Sequence, residues 1–154
     1  MNIGNASSVA RELRTHIPAT ALATGALFVW AFGIPALFRA GDVEQTTRSS
    51  LPDAPVWLLV SFVVLLGPWL EEMIFRGWLI NGARRLSLSF LSASLISTSL
   101  WILMHLPGTF QAGLIYAGSG LILCGLRYHT GRIWPCVLAH MAYNTLAALM
   151  LARP

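Results

Sequence analysis

Six ionisable or amide side chains fall inside apolar stretches of the chain. They are Glu71, Glu72 and Arg76 in LEEMIFRGWLI (70–80), His105 at the end of WILMH (101–105), and His140 and Asn144 in HMAYN (140–144). A charged residue at the centre of a bilayer-spanning helix costs about 2.5–3.5 kcal/mol. Glu72 and Arg76 are four apart, so they share a helix face and can pair. Glu71 lies about 100° further round and must find its partner on another helix. His140 and Asn144 also share a face. Carboxylate, imidazole and amide groups brought together from three helices suit peptide hydrolysis, which needs an activated water and donors for the developing oxyanion. An unpaired carboxylate in apolar surroundings is a stronger base than one in water, which makes Glu71 the candidate general base. His105 would orient the same water. His140 and Asn144 would donate to the oxyanion, converging on Glu71. Glu72 and Arg76 would hold the helix and set the field around Glu71. Trp101, one turn before His105, would pack the wall.

The same residues admit other chemistry. Glu71, His105 and His140 could hold zinc with an open position, although no H-E-x-x-H occurs and Arg76 opposes a cation. Cys136, four before His140, could form a thiol–imidazole pair. Ser119 in AGSG (117–120) could pair with His140 as in rhomboid-type proteases, but that leaves Glu71 without a role. A Glu/His proton or ion relay and a non-catalytic membrane partner, such as a bacteriocin-immunity or scaffold protein, are the remaining classes.

Elements that place such groups together are expected to be membrane helices. The chain has 154 residues, 56% of them hydrophobic and 10% charged, against about 25% charged in a soluble domain. All ten basic residues are arginine, scattered without a basic stripe, so nucleic acid is not expected as a partner. Cys124 and Cys136 lie in or beside apolar segments and imply no disulfide framework. A span needs roughly 20 apolar residues. Five are expected, at 19–38, 55–83, 88–106, 110–126 and 133–151, forming an all-α polytopic membrane bundle in a single integral domain over 1–154. Residues 1–18 form a polar N-terminal segment, 39–54 a polar linker, and 55–151 the core that carries the motifs. The first span reads as uncleaved rather than as a signal peptide. The C-terminal LARP has no cysteine to prenylate. The fourth span is short and glycine-rich, suited to close helix approach.

Arg11/Arg14, Arg84/Arg85 and Arg127/Arg132 fall on alternate connections. This pattern places them, with the N-terminus, in the cytoplasm; Arg39 is the exception. Glu71 and His105 each lie roughly 20–25 Å from the turn at 84–88, so antiparallel neighbours put them level. His140 is only about 10 Å from its own turn, a gap that tilt or a sunken 127–132 loop would close.

In these motifs the chain resembles the CPBP intramembrane proteases, which include the type II CaaX prenyl endopeptidases. EEMIFR (71–76) resembles the family's first motif. WILMH resembles its second, with Trp101 where Phe is usual. HMAYN resembles its third, and TGRIWPCVLAH (130–140) its approach. The likeness covers about 70–150. It implies a glutamic-type endopeptidase with Glu71, His105, His140 and Asn144 at the site and no cofactor. It also implies a membrane-anchored protein or peptide substrate in the bacterial inner membrane. The chain's shortness is similar to bacterial relatives thought to process C-terminal sorting signals of exported proteins; prenyl-protein processing belongs to members with more helices.

Overall fold

The computed structural model describes residues 3–38 and 55–151. The expected linker at 39–54, Arg39 with it, and the last three residues lie outside them. Among the described residues, five helices form an all-α bundle and no strand occurs. They are α1 (Ile3–Phe38), α2 (a continuous helical run from Val56 to Arg85), α3 (Phe90–His105), α4 (Phe110–Thr130) and α5 (Trp134–Leu151).

The boundaries follow from local chemistry. Ser89 and Thr109 start α3 and α4 by accepting from the amides of Ser92 and Ala112 at 3.0 and 3.2 Å, the usual N-cap use of a hydroxyl. Leu106 adopts a left-handed conformation (φ 43°) immediately before Pro107, which makes His105 the last helical residue of α3. Gly131 (φ 65°) closes α4, its amide bonding Arg127.

Two expectations need correction. The first helix begins at Ile3 rather than near 19. Arg11, Glu12 and Arg14 do not interrupt it, and it is docked there by an ion pair from Glu12 to Arg132 and by the His16 ring, 5.5 Å from that of Trp134. The fourth helix is not short: RYHT stays helical and only Gly131 ends it.

The bundle buries polar groups among its apolar core and leaves many large apolar side chains on its surface. Glu72, Arg76 and Ser97 are fully buried, whereas Trp57, Trp78, Leu91 and Leu103 are each more than 60% exposed. Hydroxyls of Thr20, Thr24, Ser61 and Thr145 bond the carbonyl four residues back at 2.7–2.9 Å. A helix in lipid must satisfy its polar groups internally in this way. Among the described residues, one helical stretch, Arg11–Gly33, is by itself long and apolar enough to cross a membrane; α3 is apolar but shorter.

α1 packs against α4 and α5 through Ala23, Leu27, Leu123, Leu126, Cys136 and Ala139. Of the glycines on α4, two serve close approach. A methyl group on Gly118 would lie 2.0 Å from the Trp30 ring, and one on Gly120 would lie 2.7 Å from Thr98; Gly125 has open space. Trp30 also donates to the Leu114 carbonyl at 3.1 Å. Gly118→Ala is therefore expected to displace Trp30 and cost about 1–3 kcal/mol, the range for overpacking. Thermal unfolding in detergent checks this, with Gly125→Ala as a neutral or stabilising control.

Candidate active site

The site is built on an irregularity in α2. Two segments, Ser61–Leu66 and Glu72–Leu79, are wound as π-helix, a form frequent at functional sites. Gly67 and Pro68 explain the first. The Gly67 amide bonds Phe62, five residues back, and a Cβ on Gly67 would come within 2.9 Å of that carbonyl. Pro68 has no N–H for the corresponding carbonyl, that of Val63. Asn144 supplies the missing donor through Nδ2 at 2.8 Å. The second segment likewise offers carbonyls to neighbours. Ser97 Oγ donates to Phe75 at 2.8 Å and Arg127 Nε to Arg76 at 3.4 Å.

This winding presents Glu71 and Glu72 to different helices. Glu72 points into the bundle, where Arg76 Nη1 lies 3.1 Å from its Oε1. His140 Nδ1 approaches the same oxygen at 2.9 Å. Arg76 also reaches the Gly120 carbonyl at 3.4 Å and stacks over the Trp101 ring at 4.7 Å. Glu71 points toward α3. Its Oε2 accepts from the indole N–H of Trp101 at 2.7 Å and lies 3.8 Å from His105 Nε2. Both side chains are about one-fifth exposed, so the pair sits at an open edge. His105 Nδ1 contacts the Trp101 carbonyl at 2.8 Å. A carbonyl can only accept, so Nδ1 carries a proton. In the neutral ring, Nε2 then offers its lone pair toward the gap beside Glu71.

Of the residues singled out above, Glu71 and His105 meet, and Glu72 and Arg76 pair. His140 does not converge on Glu71. Its Nδ1 is held by Glu72, because that carboxylate faces α5 while Glu71 is turned about 100° away. The depth gap of His140 is closed by a sunken turn. Ile133 packs 3.0 Å from where a Gly77 side chain would begin, well before the end of α2 at Arg85. Asn144 spends one amide proton on Val63. Trp101 is more than wall: it is the hub, bonding Glu71 and meeting the rings of His105 (4.7 Å) and His140 (6.0 Å). A buried tryptophan that needs an acceptor, one turn from a histidine, was the available signal. Tyr116 on α4, whose ring lies 4.5 Å from His105 and 5.7 Å from Trp101, belongs to no motif and was not foreseen.

The rivals fare unequally. Glu71, His105 and His140 are not gathered on one point, and among the described residues no three His, Cys, Asp or Glu side chains are placed as metal ligands. Ser119 Oγ is buried without a hydrogen-bond partner, so it is not on His140. Cys136 is fully buried, its thiol toward the Leu123 carbonyl at 3.4 Å.

Residues 53–146 match the family described as type II CAAX prenyl endopeptidase Rce1-like, more than half of the chain. The chain belongs to that family. This Rce1-like chain is also 32% identical over 130 residues to a protein of Bacillus subtilis (strain 168) named "Putative membrane peptidase YdiL", covering 84% of the chain and 50% of that relative. It thus spans about half the length of the curated relative it matches. No solved structure gives a significant match. The family and this relative make the chain a membrane protein of a protease family.

Proposed function

We propose that the chain is an intramembrane endopeptidase that hydrolyses a peptide bond of a membrane-associated protein with water activated by Glu71. The observation that supports this best is the open edge where Glu71 Oε2, steadied by Trp101, faces His105 Nε2 across 3.8 Å. A water molecule can hydrogen-bond both atoms at once. Glu71 takes a proton as the water oxygen attacks the scissile carbonyl. Nδ1 of His140 is occupied by Glu72, so donation to the oxyanion comes from Nε2. Asn144 keeps a second amide proton for the same purpose. Glu71 then passes its proton to the leaving amine, and the C–N bond breaks. This balances the reaction without a cofactor.

The bundle fits a five-span arrangement. The Glu12–Arg132 ion pair and the Phe90–Tyr128 ring contact at 5.0 Å bring the start of α1, the α2–α3 turn and the α4–α5 turn to one end. Arg11, Arg14, Arg84, Arg85, Arg127 and Arg132 therefore share that end, which the positive-inside rule assigns to the cytoplasm. We take the substrate to be a membrane-anchored protein cut near a C-terminal sorting signal. Mass spectrometry of membrane-protein termini, comparing cells with the wild type and Glu71→Gln, tests the reading. New termini that depend on Glu71 are expected. A phenotype preserved by Glu71→Gln, with identical termini, would replace it with a binding role; Glu71-dependent proton flux in liposomes would replace it with a relay.

Cys136→Ser is expected to cleave at close to the wild-type rate, because a hydroxyl can keep the bond to Leu123. Loss of turnover with an unchanged melting temperature would restore a thiol mechanism.

A further inference from the structure

A groove of about 560 Å³ opens between α2, the end of α4 and α5. It is separate from the Glu71 edge. Trp69 and Met73 form its α2 wall, and Glu71 lies about 200° round the helix from each. Val137 and Leu138 form the α5 wall, and Arg127 and Arg132 stand at the mouth beside the α4–α5 turn. Arg132 to Leu138 is about 9 Å along the chain, so the groove grades from cationic to apolar over that depth.

The charge around the mouth is one-sided. Six arginines stand at this end of the bundle. Glu12, paired with Arg132, is the one carboxylate there among the described residues. Arg127 uses Nε on the Arg76 carbonyl and has other N–H groups on its guanidinium. Arginine is suited to phosphate through paired donors, and a basic pocket between membrane helices suits an anionic headgroup. A soluble anion would leave the Trp69, Met73, Val137 and Leu138 walls unused. A phospholipid uses both parts, with its phosphate at the arginines and an acyl chain along the apolar walls. The volume lies within the roughly 300–1,000 Å³ of small-molecule sites.

We propose that this groove binds one anionic phospholipid, phosphate toward Arg127 and Arg132. The full chain is reconstituted in nanodiscs of equal parts phosphatidylglycerol and phosphatidylcholine, then released for native mass spectrometry. One retained phosphatidylglycerol is expected, preferred over phosphatidylcholine by about tenfold. The R127Q/R132Q pair should remove the preference. Leu138→Trp, which fills the groove and leaves both charges, should remove the bound lipid while the melting temperature holds. Added glycerol 3-phosphate should not displace it. Equal retention of the two lipids, or retention unaffected by Leu138→Trp, overturns the proposal. So does displacement by glycerol 3-phosphate, which would indicate a soluble-phosphate site. A second copy of the chain retained in place of lipid, and lost in Leu138→Trp, makes the groove a self-association surface and also overturns it.

Discussion

Glu71→Gln is expected to abolish cleavage while leaving the bundle folded. Glutamine keeps the length of the side chain, and its amide oxygen can still accept from the Trp101 indole, now 2.7 Å from the carboxylate. What it loses is the ability to take a proton from water and return it to the leaving amine. A positioned general base contributes about 10²–10⁴-fold to rate. The loss should therefore fall on kcat, with KM and melting temperature close to wild type. Glu71 is one-fifth exposed and its carboxylate is bonded to a neutral donor, so no buried charge is stranded by the change. Purified protein with a cleaved reporter substrate gives the measurement, with and without a chelator. Chelation should leave wild-type turnover intact. A Glu71→Gln enzyme keeping more than about a tenth of the rate would remove this carboxylate from the role of base. Recovery of a chelator-inactivated wild type by added zinc would transfer the activation of water to a metal.

Much of this arrangement was legible because its parts are local. The i, i+4 spacing of Glu72 and Arg76 specifies their pairing on any helix. The similar distances of Glu71 and His105 from the α2–α3 turn set them level, as the 3.8 Å contact reflects. The helix order is readable from apolar run lengths. What the sequence hid depends on rotation and register between distant helices. Whether His140 meets Glu71 or Glu72 turns on about 100° of α2, and on a turn sunk beside Gly77. The π-winding was hidden too. Gly67-Pro68 is visible, but that Asn144 answers the carbonyl left open by Pro68 requires α5 to be in place. Tyr116 sits in a glycine-rich stretch with no periodic signal. The start of α1 was misplaced because hydropathy marks where a helix turns apolar, and Arg11, Glu12 and Arg14 are helix-compatible residues that continue it.

Arg76→Leu is expected to be the most destabilising single change, because it strands a neighbour. Arg76 and Glu72 are both fully buried, 3.1 Å apart. Removing one partner of a buried ion pair costs about 3–5 kcal/mol, since the other charge is left uncompensated. Leucine also gives up the guanidinium stacked on Trp101 and its bond to Gly120. Removing both charges is different: apolar replacement of a buried pair is often neutral or stabilising. E72L/R76L should therefore melt close to wild type where Arg76→Leu alone does not. Yet the double variant should not cleave. His140 loses the carboxylate that fixes its Nδ1 at 2.9 Å, and with it the orientation of the ring on which Nε2 donation depends. Stability restored without activity would mean that this pair is kept for the position of His140 and not for the fold. Stability and activity restored together would mean that His140 needs no carboxylate beneath it. Thermal melts in one detergent, run beside the reporter assay, separate the two results.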